Sequence, residues 1–72
     1  MGITRAAEEL QDRFEHFPWL NGVGIGVSGG QNVIFVYVNS SRHRELDKEV
    51  QGAWHGFRVV VKNIGKVKPA FN

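Results

Sequence analysis

The sequence predicts an α+β fold with element order α-β-β-α-β, and three stretches carry that prediction. Ile3, Ala6, Ala7, Leu10, Phe14 and Phe17 recur at steps of three and four, the stripe of one amphipathic helix. Gly22-Val23-Gly24-Ile25-Gly26-Val27 alternates glycine with branched apolar residues, and the apolar run Val33-Ile34-Phe35-Val36-Tyr37-Val38 follows it closely. Phe57 to Lys62 alternates again, placing Phe57, Val59 and Val61 on one side and Arg58, Val60 and Lys62 on the other.

In the first helix, Thr4 is expected to cap the start by accepting an amide hydrogen bond with its hydroxyl. Glu8 and Glu9 sit in the early turns, where the helix dipole favours negative charge. Pro18 turns Phe17 away from helical angles, so the helix should end near His16 or Phe17. Glu8, Gln11, Asp12 and Glu15 then form an outward, solvated acidic face.

Gly29-Gly30 suit the centre of a two-residue primed turn, which needs positive φ. That turn sets Ile25 opposite Ile34 and Val23 opposite Val36 on an apolar face. On the other face Gly26 opposes Val33, Gly24 opposes Phe35 and Gly22 opposes Tyr37. An aromatic ring over a cross-strand glycine covers backbone that water would otherwise reach. A slip of one residue would mix the two faces.

Asn39-Ser40-Ser41 is a polar break with capping residues, and a short helix is expected over residues 42–51. His43, Leu46, Asp47 and Val50 share one side of it, and Gly52 is placed to end it. Ala53-Trp54-His55-Gly56 reads as a loop or the beginning of a strand, and residues 63–69 as an extension of the third strand after a bend at Gly65. These elements predict a three-stranded, mainly antiparallel sheet in spatial order 2-1-3 with both helices packed on the Val23/Ile25/Ile34/Val36 face. Parallel pairing of the third strand beside the second is the alternative.

The chain has 72 residues, enough for a single compact domain over 1–72. A domain of this size buries only about 60% of the surface its unfolded chain exposes, so dimerisation would help it. The absence of cysteine excludes disulfides, thiolate catalysis and cysteine zinc sites. No basic-then-apolar leader opens the sequence and its longest apolar run is too short to span a bilayer, so a soluble, cytoplasmic protein is expected. The net charge of +2 is unevenly placed. Residues 20–41 carry no charge, whereas after Glu49 every charge is positive: Arg58, Lys62, Lys66 and Lys68. Such a tail can attract a polyanion or simply keep a small domain in solution.

Little in the chain points to catalysis. Gly24-Ile25-Gly26-Val27-Ser28-Gly29 matches G-x-G-x-x-G, but the dinucleotide motif must join a strand to a helix, and here a second strand follows. His16, His43 and His55 are scattered over separate elements with no carboxylate at a spacing that suggests metal binding. Ser28, Ser40 and Ser41 lack a nucleophile elbow. Glu45, Asp47 and Glu49 with Arg42, Arg44 and Lys48 read as solvated helix charges. No catalytic residue, metal ligand or cofactor is therefore expected.

Two features suggest contact surfaces instead. Phe35, Tyr37, Arg58, Val60 and Lys62 should share the sheet face away from the helices, as an interaction face for protein. The same aromatics, with Lys66 and Lys68, would also suit a stacking platform for single-stranded nucleic acid, although the RNA-recognition fold needs four strands and a motif of which this chain shares only the alternation. Trp19 and Trp54, each in a connection beside proline or glycine, are the second feature; such tryptophans plug the ends of a small core or, less often, anchor an interface.

Residues 17–26, Phe-Pro-Trp-Leu-Asn-Gly-Val-Gly-Ile-Gly, together with Ile34-Phe35-Val36-Tyr37-Val38, residues 46–52 and Val59-Val60-Val61-Lys62-Asn63-Ile64-Gly65-Lys66-Val67, resemble a small bacterial α+β module. That module reads helix, "GVGVG", "I-x-V-Y-V" strand, then a "V-x-V-x-x-x-G-x-i-x-A" ending, and occurs alone or ahead of trypsin-like peptidase domains. This chain lacks the module's proline after Leu46 and adds Ala53-Trp54-His55-Gly56 before the last strand. A tight turn replaces the module's usual long insertion after the glycine strand. The resemblance implies an accessory or interaction module and carries over no catalytic residue. The expected function is thus a non-enzymatic protein-interaction module, self-associating as a homodimer through the glycine/aromatic face or the sheet edge, with single-stranded nucleic-acid binding as the alternative.

Overall fold

The computed structural model describes residues 2–65. Lys66 and Lys68, and the extension expected beyond Gly65, lie outside the described residues. The elements are α1 (Ile3–Phe14), β1 (Leu20–Ser28), β2 (Gln31–Val38), α2 (Arg44–Glu49), β3 (Ala53–Trp54) and β4 (Phe57–Asn63). The α+β class and the helix-strand-strand-helix order hold, while the sheet differs from expectation: it has four strands in the order β1-β2-β4-β3 and is mixed. β4 runs parallel to β2, with Ile34 beside Val59, Phe35 beside Val60 and Tyr37 beside Lys62.

The physical reason lies in β2. Its inner residues are apolar on both sides, and Val33, Ile34, Val36 and Val38 are all buried. A strand with two apolar faces belongs in the middle of a sheet. Order 2-1-3 would have put the glycine strand there and left β2 at an edge. The stretch between β2 and β4 contains α2 and is long enough for the crossover that parallel pairing requires.

The β1–β2 hairpin follows the register derived from its turn. Gly22 pairs Tyr37, Val23 pairs Val36, Gly24 pairs Phe35, Ile25 pairs Ile34 and Gly26 pairs Val33. Gly29 at φ 59° and Gly30 at φ 79° are both left-handed, the signature of a type I′ turn. A bulge at Asn21 shifts the register between Leu20 and Gly22. The Asn39 side-chain amide braces it, donating to Asn21 Oδ1 at 2.7 Å and to the Pro18 carbonyl at 3.0 Å.

Ala53-Trp54-His55-Gly56 resolves into a second tight hairpin, with Ala53 paired to Arg58 and Trp54 to Phe57. Its turn residues His55 (φ 51°) and Gly56 (φ 83°) are again both left-handed. The helices are shorter than expected. α1 ends at Phe14, and Gly2 rather than Thr4 occupies its N-cap, with no side-chain cap. α2 spans Arg44–Glu49 instead of residues 42–51, with His43 as N-cap.

Both helices pack on one face of the sheet. Ala6, Ala7, Leu10 and Phe14 of α1, Leu46 of α2, Val50 just beyond it and Trp19 meet Ile34, Val36, Val38 and Val59 in one core. Val23 and Phe57 pack against it partly buried. Cover fails toward the hairpin tip, where Ile25 is 44% and Val27 68% exposed. Trp19 and Trp54 do close the core, and each finds a partner for its indole N–H: Glu45 Oε1 at 3.2 Å and the Ala6 carbonyl at 3.0 Å. No helix among the described residues is long and apolar enough to cross a membrane.

Candidate interaction surface

Strand alternation and register bring Phe35, Tyr37, Arg58, Val60 and Lys62 together on the sheet face opposite the core, as their spacing suggested. Phe35 and Tyr37 come from β2, the other three from β4, and Gly22, Gly24 and Gly26 of β1 floor the remaining third. The aromatic rings do not stand over the glycines directly opposite. They lean one pair toward the turn, so a Cβ built on Gly26 would meet Phe35 (Cδ2 at 2.9 Å) and one built on Gly24 would meet Tyr37 (Cε2 at 3.4 Å). The diagonal neighbour in an antiparallel pair is within reach of an aromatic side chain, and glycine leaves room for the ring to lie flat. Phe35 and Tyr37 lie near-parallel, with centroids 6.3 Å apart and planes at 24°. Lys62 Nζ sits 4.9 Å from the centroid of Phe35, a cation–π contact.

The face therefore presents a flat aromatic strip, half-buried by its own glycine floor and rimmed by the exposed residues Arg58 and Lys62. Val33, on the same side, is fully buried although no helix among the described residues covers it. Cation–π contact and glycine–ring packing hold the strip in place.

Other charged groups prove to be structural ties. Glu45 holds Trp19, and Glu49 reaches α1, accepting hydrogen bonds from Arg13 Nε and from Arg13 Nη2, the latter at 2.6 Å. These two carboxylates are thus not simply solvated helix charges. The hydrogen bonds and charge of Arg13 hold the Glu49 carboxyl below its usual range, and Glu49 raises the Arg13 guanidinium in return. His43 Nδ1 lies 3.0 Å from Asp47 Oδ1, the carboxylate at i+4 that shares its side of α2. His55 Nε2 lies 3.3 Å from Glu9 Oε2. Helix spacing reveals the first of these pairs from sequence alone, whereas the second depends on the β3–β4 hairpin. Among the described residues no three histidine or acidic side chains converge as a metal site would require.

No protein-family model, no curated protein and no solved structure matches this chain.

Proposed function

We propose that the chain is a non-enzymatic protein-interaction module that works through the open side of its sheet, either the glycine/aromatic face or the β1 edge beside it, with a second copy of itself as partner. One observation carries this reading: both helices pack on the same face, and among the described residues nothing covers the aromatic strip of Phe35 and Tyr37 on the other. Exposed contiguous apolar surface in a small domain marks a contact site. The resemblance to an accessory module in bacterial proteins agrees with it, as does the thin core of a 72-residue chain, which gains from association. Light scattering after size exclusion tests the reading over a range of concentrations. A concentration-dependent dimer is expected, and a chain that stays monomeric up to millimolar concentration overturns it.

A second reading, single-stranded nucleic-acid binding through Phe35 and Tyr37 with the positive residues Arg58, Lys62, Lys66 and Lys68, is favoured by the near-parallel rings and by Lys62 over Phe35. It requires oligonucleotide binding that weakens steeply with salt. No binding at low salt disposes of it.

A further inference from the structure

We infer that self-association runs through the free edge of β1, which pairs antiparallel with β1 of a second copy about a two-fold axis at Ile25, giving one continuous eight-stranded sheet from two four-stranded ones. The inference rests on the self-association reading above and assigns it to the edge rather than to the aromatic face.

β1 is the first strand in the sheet order and, among the described residues, is hydrogen-bonded on one side only. Which of its backbone groups face outward follows from the turn. In a two-residue hairpin the flanking pair, here Ser28 and Gln31, is hydrogen-bonded across the turn. Antiparallel pairs then alternate, so Gly26, Gly24 and Gly22 bond to β2 while the N–H and C=O of Val23, Ile25 and Val27 point away from it. Soluble proteins blunt such edges with lysine, proline, bulges or inward charges. β1 has no charge and no proline, and its bulge at Asn21 leaves Gly22 to Ser28 regular.

The edge is also complementary to itself. Centred on Ile25, antiparallel pairing sets Ile25 against Ile25 of the second copy and Val23 against its Val27, all residues whose backbone groups point outward. The same register sets Gly24 against Gly26 on the other face. Apolar side chains meet apolar side chains, and glycine meets glycine. The exposed apolar residues of the helix-side face lie where this pairing would cover them, Ile25 at 44% and Val27 at 68%. A groove of about 290 Å³ between α1 and β1, lined by Ala7, Glu8, Gln11, Val23 and Ile25, lies beside the position that Val27 of the second copy would take. With residues 20–41 uncharged, no like charges meet between the paired strands.

Area sets the strength. The regular stretch is about 24 Å long at about 3.4 Å per residue, and a sheet is about 10 Å thick. Such a strip buries a few hundred Å² on each copy, short of the roughly 800 Å² of a standard interface. The dimer should therefore form in the micromolar-to-millimolar range.

Light scattering of the full chain and three variants tests the inference, with circular dichroism as the check on folding. Val27→Glu puts a carboxylate beside Glu8 of the second copy at a site exposed in the monomer. Ile25→Pro removes an outward N–H without breaking a β1–β2 bond, and such an edge position tolerates proline. Phe35→Ser alters the aromatic face alone. The expected result is a concentration-dependent wild-type dimer, a midpoint raised at least about tenfold in both edge variants, and a dimer retained in Phe35→Ser. Edge variants that associate like the wild type overturn the inference; if Phe35→Ser is then monomeric, self-association stands and belongs to the face. A wild-type monomer at every concentration overturns both.

Discussion

Replacing Gly26 by alanine should destabilise the fold, while the same change two residues away at Gly24 should not. A methyl group at Gly26 would stand 2.9 Å from Phe35 Cδ2 and nearer still to Cε2, whereas at Gly24 the nearest atom is Tyr37 Cε2 at 3.4 Å. Carbon atoms pack best at about 3.5–4.0 Å, so only the first substitution must move its ring. Overpacking of this kind costs about 1–3 kcal/mol. Alanine in place of glycine within a strand returns about 0.5–1 kcal/mol by restricting the unfolded chain. The net effect is a loss of up to about 2.5 kcal/mol for Gly26→Ala and a gain of up to about 1 kcal/mol for Gly24→Ala. A domain of this length holds about 4–11 kcal/mol in all at the usual stability per residue, so the difference is measurable. Urea unfolding followed by tryptophan fluorescence gives both values, and Gly26→Ala in a Phe35→Ala background closes a cycle. The penalty should vanish there. Equal stability of the two single variants, or a penalty that persists without the Phe35 ring, would refute the ring-over-glycine account.

Four further outcomes follow from the same geometry. Leu46→Ala should cost about 2–5 kcal/mol in chemical denaturation, because Leu46 is the fully buried anchor of α2 in the core. His55→Gly should stabilise the β3–β4 turn by up to about 1 kcal/mol, since a left-handed residue with a Cβ is strained, and His55→Val should unfold at lower urea than wild type. Trp54→Phe should lose about 0.5–1.5 kcal/mol with the hydrogen bond to the Ala6 carbonyl, read as a lowered urea midpoint. Glu49 has a folded-state pKa below its ordinary value, so its pairing with Arg13 stabilises the fold above the unfolded-state pKa and loses that effect as pH falls through the lowered value. The stability gap between wild type and Glu49→Gln, measured by urea titration, should accordingly be full at neutral pH and close in acid.

How much of this was legible in the sequence depended on whether the determinant was local. The β1–β2 register was readable because Gly29-Gly30 and period-two alternation leave one consistent pairing, and it placed Phe35 and Tyr37 on the open face. The stripe from Ile3 to Phe14 named the buried side of α1 for the same reason. The place of β4 was not local. It turns on which neighbour is central, and the apolar character of β2 on both faces is the sequence signal for that. Ala53-Trp54 reads only as a loop or the beginning of the next strand, not as a separate β3, because its type I′ turn uses His55 in place of glycine or asparagine at the first left-handed position. Thr4 offered a plausible cap, yet the helix begins one residue before it. The lean of the aromatic rings onto diagonal glycines, and the ties of Glu45 and Glu49 to Trp19 and Arg13, depend on tertiary placement that spacing does not encode.

Hydrogen exchange at the backbone amides of β1 tests the central claim most directly, because it reads the edge residue by residue. In a dilute sample the amides of Gly22, Gly24 and Gly26 should be protected by β2, while those of Val23, Ile25 and Val27 exchange freely. Raising the concentration should bring protection to Val23, Ile25 and Val27 in step with the mass measured by light scattering. Association that leaves these three amides exchanging freely would contradict the edge-paired dimer.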